Sequence, residues 1–455
     1  MFTVRSLKFL GVCLLSLSAA AAAVTPEETA ILERIKAPQF ASRDFSITDF
    51  GATPDGDASA AITKAIAACH EAGGGRVVVP AGTWLTGAVH LKSNVNLHLA
   101  DGSTLRFDPD PKKYLPLVLT RFEGLECMSY SPLIYAFEQE NVAITGKGTL
   151  DGSASLDTWW AWNDPSKGRP TKQVAARKRL DQQGADGVPV AERIHGEGSF
   201  LRPTFIQPYR CKNVLIEGVR IINSPMWEMN PVLCTNVTVR GVTVVTHGSN
   251  NDGCNPESCK DVLIEDCLFD TGDDCIAIKS GRNNDGRRIG VPSENIVIRR
   301  CTMKEGHGGV TMGSEISGGV RNVFVSDCKM DSPNLDRAIR FKSNAVRGGV
   351  IENIFVRDVT IGRVAKAVIS IEFDYEEGAN GPHKPVLRNV LLENVTCESS
   401  ERVAVATGFP GVVIENVRLE NCTFRGVESD DVSKSAGTLS FKNVSIERTK
   451  PAKKK

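Results

Sequence analysis

The residues best suited to chemistry form four short groups in the middle of the chain. They are three carboxylates, a histidine and two cations: Asp252, Asp273, Asp274, His307, Arg340 and Lys342. Cleavage of a glycosidic bond needs one carboxylic acid to protonate the leaving oxygen and a carboxylate to assist water or the anomeric carbon. Because clustered like charges cannot all ionise cheaply, one of these acids is expected to keep its proton near neutral pH.

Each group has a simpler structural explanation when it is taken alone. The pair Asp273 and Asp274, in Thr-Gly-Asp-Asp-Cys, could be a turn held by side-chain hydrogen bonds to the backbone. His307, between two glycines, could be a structural turn residue, and Arg340 and Lys342 could form a solvated strand face. The catalytic interpretation therefore depends on a fold that brings the four groups together.

The elements that would position these groups are copies of an internal repeat. The pattern Asn-apolar-x-apolar-x-x-Val/Cys recurs at separations of roughly 22 to 36 residues, which is a solenoid period. Its copies start at Asn213, Asn236, Asp261, Asn295, Asn322, Asn353, Asn389 and Gly411. Alternating β-branched residues indicate a short strand in each copy, and Gly, Asn, Asp and Ser indicate turns between copies. This predicts an all-β fold, a right-handed parallel β-helix, over a β-sandwich or a leucine-rich horseshoe.

Repeat phase then places the first two groups side by side. Asp273 lies six residues after Cys267, and His307 lies six residues after Cys301. Both should leave adjacent rungs at the same point, about 5 Å apart along the axis. Gly272 would let adjacent acids both reach the groove at a turn or bulge.

The other two groups fall on the flanking rungs. Asp252 lies ten residues past Val242, one rung earlier, and Arg340 and Lys342 lie twelve and fourteen residues past Cys328, one rung later. Alternate strand residues share a face, so the two cations should point the same way. Four successive rungs would then line one groove.

The cysteines divide by position in the repeat. Valine and cysteine interchange at the strand-end position, which predicts inward-facing ladder residues: Val219, Val242, Cys267, Cys301, Cys328, Val359 and Val395. Stacked thiols are favoured there over a Cys267–Cys301 disulfide. Cys254 and Cys259 lie in a turn and are the better disulfide candidates.

Two segments depart from the repeat. Residues 57–72 are alanine-rich with one apolar face, which predicts a helix that Asp57 can N-cap and that ends at Gly73-Gly74-Gly75. This helix is expected to close one end of the solenoid, within an N-terminal capping segment at residues 45–75. Residues 151–200 hold three tryptophans (Trp159, Trp160 and Trp162) and are predicted to form a long loop beside the groove.

Composition indicates an exported protein of one domain, residues 24–455. The 54 basic and 54 acidic residues balance, so neither nucleic acid nor an anionic membrane is an expected partner. Residues 1–23 carry Arg5 and Lys8, an apolar run and Ala21-Ala22-Ala23, which predicts a secretory signal peptide and a secreted or periplasmic location. The apolar run is too short for a membrane span. Acylation of Cys13 is left open, and a monomer is expected.

The four groups together resemble the motifs of the polygalacturonase family, glycoside hydrolase family 28. The matching stretches are Asn-Asn-Asp-Gly, Gly-Asp-Asp-Cys, Gly-His-Gly and Arg-Phe-Lys, and the similarity extends over roughly residues 45–447. The resemblance implies an inverting hydrolase of α-1,4-galacturonosidic bonds in pectin, acting on pectic polysaccharide or oligogalacturonide without a cofactor or metal.

The resemblance also implies residue roles. Asp273 would be the general acid, and Asp252 with Asp274 would hold and activate water. His307 would support the acid, Arg340 and Lys342 would bind the galacturonate carboxylate, and Asn250 would contact substrate.

Two positions depart from the family pattern, and other functions stay open. Asn251 replaces the usual threonine, and Asn255 replaces a further acid, which affects the sugar contacts. Rhamnogalacturonan hydrolases, calcium-dependent pectate lyases and non-catalytic carbohydrate-binding solenoids are the alternatives. Whether action is endo or exo depends on whether the loops at 151–200, 282–292 and 374–385 block the groove. If the tryptophan-bearing insert folds over one end of the groove, exo action is favoured. The alternative is that the tryptophans pack the insert onto the solenoid.

Overall fold

The computed structural model describes residues 24–163, 171–434 and 439–449, whose strands stack in parallel along one axis. Successive turns of the chain add strands to three faces, so the architecture is the predicted right-handed parallel β-helix. The predicted leader at residues 1–23 lies outside the described residues. None of the described helices is long and apolar enough to cross a membrane.

Two long sheets form the first and second faces. The 13 strands of the first sheet, numbered along the chain, are β1 (Asp44–Ser46), β2 (Gly75–Val79), β5 (Val95–Leu99), β10 (Glu140–Gly146), β14 (Lys212–Glu217), β16 (Thr235–Arg240), β18 (Lys260–Glu265), β21 (Ser293–Arg299), β24 (Val320–Ser326), β27 (Val350–Arg357), β30 (Val386–Glu393), β33 (Val413–Glu420) and β36 (Leu439–Lys442). The 12 strands of the second are β3 (Gly82–Thr86), β6 (Ser103–Phe107), β11 (Thr149–Asp151), β15 (Arg220–Ile222), β17 (Thr243–Thr246), β19 (Leu268–Thr271), β22 (Thr302–Met303), β25 (Lys329–Met330), β28 (Thr360–Arg363), β31 (Thr396–Ser399), β34 (Thr423–Val427) and β37 (Ser445–Arg448).

The third face carries the candidate site. Its strands are β4 (Val89–His90), β9 (Ile134–Phe137), β13 (Ile206–Tyr209), β20 (Ile276–Ile278), β23 (Val310–Met312), β26 (Arg337–Lys342), β29 (Ala367–Glu372), β32 (Arg402–Thr407) and β35 (Val432–Lys434). Isolated bridges at Met229 and Cys254 connect β13 to β20, so the face is continuous. A separate small sheet is formed by β7 (Val118–Phe122), β8 (Leu125–Ser129) and β12 (Ile194–His195).

The repeat's leading asparagine forms a ladder along the solenoid. Asn295, Asn322 and Asn353 all have positive φ, near +57° to +59°, a conformation that asparagine tolerates better than most residues. Their amides bond from rung to rung: Asn322 Nδ2 donates to Asn295 Oδ1 at 3.1 Å, and Asn353 Nδ2 donates to Asn322 Oδ1 at 3.0 Å. The sequence pattern thus marks the residue that turns the chain into each first-sheet strand.

The cysteines are buried and unpaired across the described residues. Cys267, Cys301 and Cys328 stack with valines inside the solenoid, as the repeat predicts. Cys254 and Cys259, the better disulfide candidates from the sequence, form no disulfide. Both thiols are buried and free: Cys254 lies between Met229 and Ile276 on the third face, and the Cys259 thiol donates to Pro231 O at 3.2 Å, so each is a packed core residue.

Helices close one end and cover the first sheet. The predicted cap helix is α2 (Ser59–Glu71), which packs on the first strands; Asp57 accepts a hydrogen bond from the Ser59 amide, and Gly73 follows the helix with φ +86°. An additional helix, α1 (Pro26–Arg34), places Ile31 against Leu263, Val297 and Phe324 on the outer face of the first sheet.

The insert at 151–200 contains a helix in addition to the predicted loop. It contains α3 (Gln173–Ala185), and a fourth helix, α4 (Asn283–Ile289), follows β20. Short 3₁₀ turns lie at Ile47–Phe50, Pro111–Tyr114, Trp159–Trp162 and Val190–Glu192. α3 and the β7–β8 hairpin share an apolar cluster with Met226 and Trp227, which fixes both against the third face.

Candidate active site

The predicted groups meet in one polar cavity of about 370 Å³ on the third face. Its lining residues are Glu123, Arg177, Trp227, Asn250, Asp252, Asp273, Lys279, His307, Ser314, Glu315, Asp336, Arg337, Arg340, Lys342, Lys366, Tyr375 and Glu376. Asp274 lies directly behind them and contacts Lys342. The structure therefore brings together every site residue predicted from the sequence.

The turns before the third-face strands position the acids. Asp273 N donates to Asn251 O, and Asp274 N donates to the Asp273 carboxylate, so the acid pair is held in a tight turn. Gly272 is needed there, because a Cβ would lie 2.4 Å from Gly248 O. The close approach of backbone between rungs thus allows neighbouring acids to reach one cavity.

His307 is hydrogen-bonded to Asp273. Its Nδ1 lies 3.0 Å from Asp273 Oδ1, and its amide donates to Asp273 O at 3.1 Å. The hydrogen bond to Asp273 raises the pKa of His307 above its ordinary value despite partial burial. The histidine therefore orients Asp273 and can carry charge beside it.

Asp274 is buried and surrounded by donors. Lys342 Nζ lies 2.7 Å from Oδ2, Arg340 Nη1 lies 3.6 Å from Oδ1, and Thr311 Oγ1 donates to Oδ1 at 3.0 Å. Burial opposes ionisation of Asp274, but Lys342 and Arg340 outweigh it and hold its pKa below the usual range. This acid is therefore an anion near neutral pH.

Asp252 is also buried, but its surroundings favour the protonated form. Asn255 Nδ2 donates to Oδ2 at 2.9 Å, and Lys279 Nζ lies 3.6 Å away. Burial raises the pKa of Asp252 to about 8, and the nearby Asp273 adds to the rise. The substitution of the family's usual acid by Asn255 thus supplies a donor to Asp252 where a second carboxylate would repel it.

The location of the proton differs from the predicted roles. The free cavity favours a proton on Asp252, whereas the resemblance makes Asp273 the proton donor. The proton on Asp252 is a property of the free cavity, whereas the donor role of Asp273 is an expectation from the resemblance.

Asn251, the second departure from the family pattern, builds the loop. It is fully buried, its Oδ1 accepts from Thr246 Oγ1 and Gly248 N at 2.6 Å each, and its Nδ2 donates to Ser224 O and Met226 O. All amide groups of this side chain are satisfied by protein. The loop that carries Asn250 and Asp252 is therefore held rigidly.

Sequence reasoning missed several cavity residues. Lys279 is in the same strand position as Lys342, two rungs earlier, and pairs with Glu315 at 2.9 Å over the Trp227 ring. The ladder phase used for Asp273 could have found Lys279. Arg177 and Glu123 come from the insert and the hairpin, which have no repeat phase to locate them.

The tryptophans of the insert do not line the cavity. Trp159 is buried against Tyr114 and Trp162, and Trp160 Nε1 donates to Ser224 O at 2.8 Å. They fasten the insert to the solenoid, as the alternative interpretation expected.

The hairpin and α3 instead cover the groove on the N-terminal side of Asp252. Thr120 Oγ1 donates to Gln207 at 2.6 Å, and Arg121 pairs with Glu257 at 3.0 Å, with both charged groups fully buried. At the rim Arg177 contacts Glu123 at 2.5 Å and Glu376 at 3.8 Å. The third face is thereby closed in one direction along the axis.

One group outside the cavity lining has donors suited to a metal ion. The ligand atoms of His247, Asp270 and Glu305 lie within 4.8 Å of one another on three successive rungs. His247 Nε2 lies 3.2 Å from Asp270 Oδ1, so a hydrogen bond already accounts for part of this arrangement.

Comparisons with known proteins identify the family of the chain. Residues 171–446 match the model of glycosyl hydrolases family 28. The crystal structure of a hyperthermoactive exopolygalacturonase from Thermotoga maritima is 44% identical, with a TM-score of 0.89, and the match covers 92% of this chain and 95% of that one. A probable polygalacturonase of Vitis vinifera is 29% identical over 82% of this chain and 74% of its own length. An exopolygalacturonase of Platanus acerifolia is 26% identical over 84% of this chain and 90% of its own.

The family match includes the whole acid, histidine and cation array, and the structural match extends over nearly all of the solenoid. The resemblance inferred from the four motifs is confirmed, and the chain belongs to glycosyl hydrolases family 28.

Proposed function

We propose that the protein is an exo-acting, inverting polygalacturonase that hydrolyses α-1,4-galacturonosidic bonds of pectic polygalacturonate. The observation that carries the proposal is a single cavity in which Asp252, Asp273 and Asp274 meet Arg340 and Lys342. The names of the Thermotoga and Platanus relatives support both the substrate and the exo mode.

The cations suit a substrate with one carboxylate on every sugar. Arg340 and Lys342 line the cavity while they also pair with Asp274, and Arg340 pairs with Glu372 at 2.8 Å. Lys279, Arg177 and Lys366 add positive charge to the lining. Charge-assisted bonds from these donors would hold galacturonate, whereas a methyl ester would lose the ionic part of the interaction.

The proposed reaction uses two faces of the sugar. Asp273 gives its proton to the glycosidic oxygen as the bond from the anomeric carbon to that oxygen breaks. A water held by Asp274 and Asp252 attacks the anomeric carbon from the opposite face and loses its proton to a carboxylate. Inversion follows, because a single displacement occurs with water between the acids and the sugar.

Exo action is supported by closure of the third face. Gln207 and Asn230, which would floor the groove on the two rungs before Asp252, are fully buried, and so is Glu257 on the rung of Asp252; the hairpin contacts Gln207 and Glu257 directly. A polymer cannot run across that covered region. The chain end would therefore enter the cavity and be removed as a short product.

The deciding experiment follows the first products from polygalacturonate. We expect new reducing ends, release of monomer or dimer from the start, a slow fall in viscosity, and the β-anomer in early proton NMR spectra. An ultraviolet-absorbing unsaturated end would identify a lyase, rapid viscosity loss would identify endo action, and an initial α-anomer would exclude inversion.

A matched variant tests the role of the acid. Asp273→Asn should lower kcat by about 10²–10⁴-fold or more with galacturonate binding retained, as expected for loss of a general acid. Activity within tenfold of wild type would contradict the assignment. No cleavage and no binding by wild type would exclude the proposed substrate altogether.

Export is part of the proposal. It is supported by the charged start, apolar run and alanine triplet of residues 1–23. Expression with the full leader should yield secreted or periplasmic protein beginning at Val24, as measured by intact mass; a retained leader in the cytoplasmic fraction would contradict it.

A further inference from the structure

Arg202 is a buried cation next to the cavity that the reaction scheme does not use. Its side chain is 1% exposed, and no carboxylate of the described residues lies within 4.0 Å of its guanidinium. Its donors go to neutral acceptors: Gln173 Oε1 at 3.1 Å, Pro225 O at 2.9 Å, Ser249 O at 2.7 Å and Asn250 Oδ1 at 2.7 Å. A desolvated charge held without an anion is costly, so its placement calls for an explanation.

The bond to Asn250 fixes the direction of one amide in the cavity. A guanidinium has donors only, so the group facing Arg202 must be the oxygen of Asn250. Asn163 Nδ2 also donates to the same oxygen, at 3.1 Å. A flipped amide would set its two N–H bonds against donors, so hydrogen-bond chemistry dictates the orientation.

The other side of the amide is then a donor available to a ligand. Asn250 lines the cavity, and its Nδ2 has no hydrogen-bond partner among the residues that the structure describes. Its backbone φ of +56° is set by the loop that Asn251 anchors. The Nδ2 group of Asn250 is thus a hydrogen-bond donor of a cavity-lining residue that no described protein group occupies.

We propose that Arg202 is a positioning residue of the substrate site, which acts through Asn250 by locking the amide with its N–H groups toward a carboxylate or hydroxyl oxygen of the bound sugar. This inference rests on the proposed galacturonate substrate. It assigns the insert a role in binding, because Asn163 and Gln173 of the insert hold Asn250 and Arg202 respectively.

A double-mutant cycle tests the route of action. Arg202→Met should raise KM on oligogalacturonate about tenfold with a smaller change in kcat, as expected for the loss of one hydrogen bond to a charged group. Asn250→Ala should do the same, and Arg202→Met in the Asn250→Ala background should add little. Independent, multiplying effects would overturn the proposal.

A second variant keeps the proposal testable if Arg202→Met does not fold. Asn250→Asp should preserve the bond to Arg202 and raise the melting temperature, since the guanidinium gains an anion. It should also raise KM at least tenfold, because the cavity then meets an acceptor in place of a donor. A higher melting temperature with unchanged KM would show that the amide does not face substrate.

Controls separate this inference from the proposed function. Arg179→Met removes an arginine of α3, which bonds to Ile194 O, His195 and Ser199 away from the cavity, and should leave KM unchanged. If wild type cleaves polygalacturonate and the cycle shows no coupling, the positioning role alone is wrong. If wild type does not cleave it, the proposed function fails first.

Discussion

Asp252 and Asp274 are both fully buried carboxyls, yet the protein surrounds them differently. Asp274 contacts Lys342 and Arg340 and is held ionised, whereas Asp252 has one more distant lysine and an uncharged amide, and its pKa rises to about 8. Two acids with separated pKa values supply one proton-bearing and one anionic group at the same pH. The neighbours of the two carboxyls therefore set which of them is charged in the free cavity.

Asp252→Asn should stabilise the protein at neutral pH while it removes activity. The unfolded chain loses the Asp252 proton near its ordinary pKa of 3.8, while the folded protein keeps it to about pH 8. The folded state therefore binds more protons in this window, and wild-type stability falls as pH rises from about 4 to 8, by at most about 1.4 kcal/mol per pH unit. The Asp252→Asn variant should lack this pH dependence of stability.

Thermal melts across this pH range check the prediction for Asp252. The comparison variant is Asp266→Asn, because Arg300 lowers the pKa of Asp266 and its loss should remove stability rather than add it. An equal pH dependence of wild type and Asp252→Asn would show that Asp252 is not the carboxyl with the raised pKa.

At the residue scale, sequence reasoning located the groups but not their charge states. Spacing from Cys267 and Cys301 identified Asp273 and His307, because equal phase in a repeat means contact in space. The ion pairs of Lys342 with Asp274 and of Lys279 with Glu315 depend on side-chain distances that no spacing reports. Arg202 was missed because it carries no motif and lies just after the insert, where no repeat phase locates it.

The asparagine ladder shows how one position of the repeat defines an element. Asn322 combines a left-handed backbone, φ +57°, with amide bonds to both neighbouring rungs. Alanine would lose both bonds and strain the backbone, whereas glycine would lose the bonds but tolerate the conformation.

We expect Asn322→Ala to lower the free energy of unfolding by about 2 to 4 kcal/mol and Asn322→Gly by about 1 kcal/mol less. Denaturant titration of both variants measures the difference. Equal losses would mean that the bonds alone, and not the backbone conformation, select asparagine here.

The hairpin and the insert are the elements that set the mode of attack. Glu123 of the hairpin and Arg177 of α3 meet at the cavity rim, and Arg282 joins them at 3.1 Å from Glu123. Removing Glu123 and Arg177 together loosens the rim without leaving either charge buried alone.

The double variant Glu123→Ala/Arg177→Ala should increase viscosity loss per reducing end several-fold, with a longer first product. Arg179→Met on the same helix serves as the control and should behave as wild type. An unchanged product pattern in the double variant would show that the rim does not close the groove. The closure would then lie in the part of the third face that the hairpin covers.

At the element scale, the strands were predictable and the insert was not. Alternating β-branched residues and the recurrent asparagine define each rung locally, so the periodic part of the fold follows from pattern. Helix α3 was missed because its sequence is mostly polar and charged, and its buried positions are Gln173, Ala176, Leu180 and Gly184. Its helical state depends on packing against the hairpin, which a local pattern does not report.

At the scale of the whole molecule, α1 connects several successive rungs of the β-helix. Ile31 packs on Leu263, Val297 and Phe324, which belong to three successive strands of the first sheet. Arg34 pairs with Asp261 at 2.8 Å, and Glu28 pairs with Arg357 at 2.8 Å, so the helix connects distant rungs. This fastening lies on the first face, away from the cavity on the third.

Ile31→Ala should release α1 before the solenoid unfolds and leave kcat unchanged. Truncation of this buried side chain should cost roughly 2 to 5 kcal/mol of stability. That is a large share of the free energy that holds α1 on the sheet, because the helix makes a single row of apolar contacts. Limited proteolysis with mass spectrometry should show earlier cleavage within residues 25–36. Ile194→Ala, at a half-exposed position, should show wild-type cleavage; the same early cleavage there would contradict the fastening role.

The buried thiols of the core have a consequence for thermal inactivation of the protein. Burial raises the pKa of Cys127 to about 12 and of Cys397 to about 11, which suppresses the reactive thiolate while the rungs are closed. Opening of the stack exposes many free cysteines at once, and in an oxidising medium they would cross-link in non-native pairs faster than the rungs could re-form. Loss of the enzyme with heat should therefore be governed by the rate of opening and become reversible only when a reductant is present.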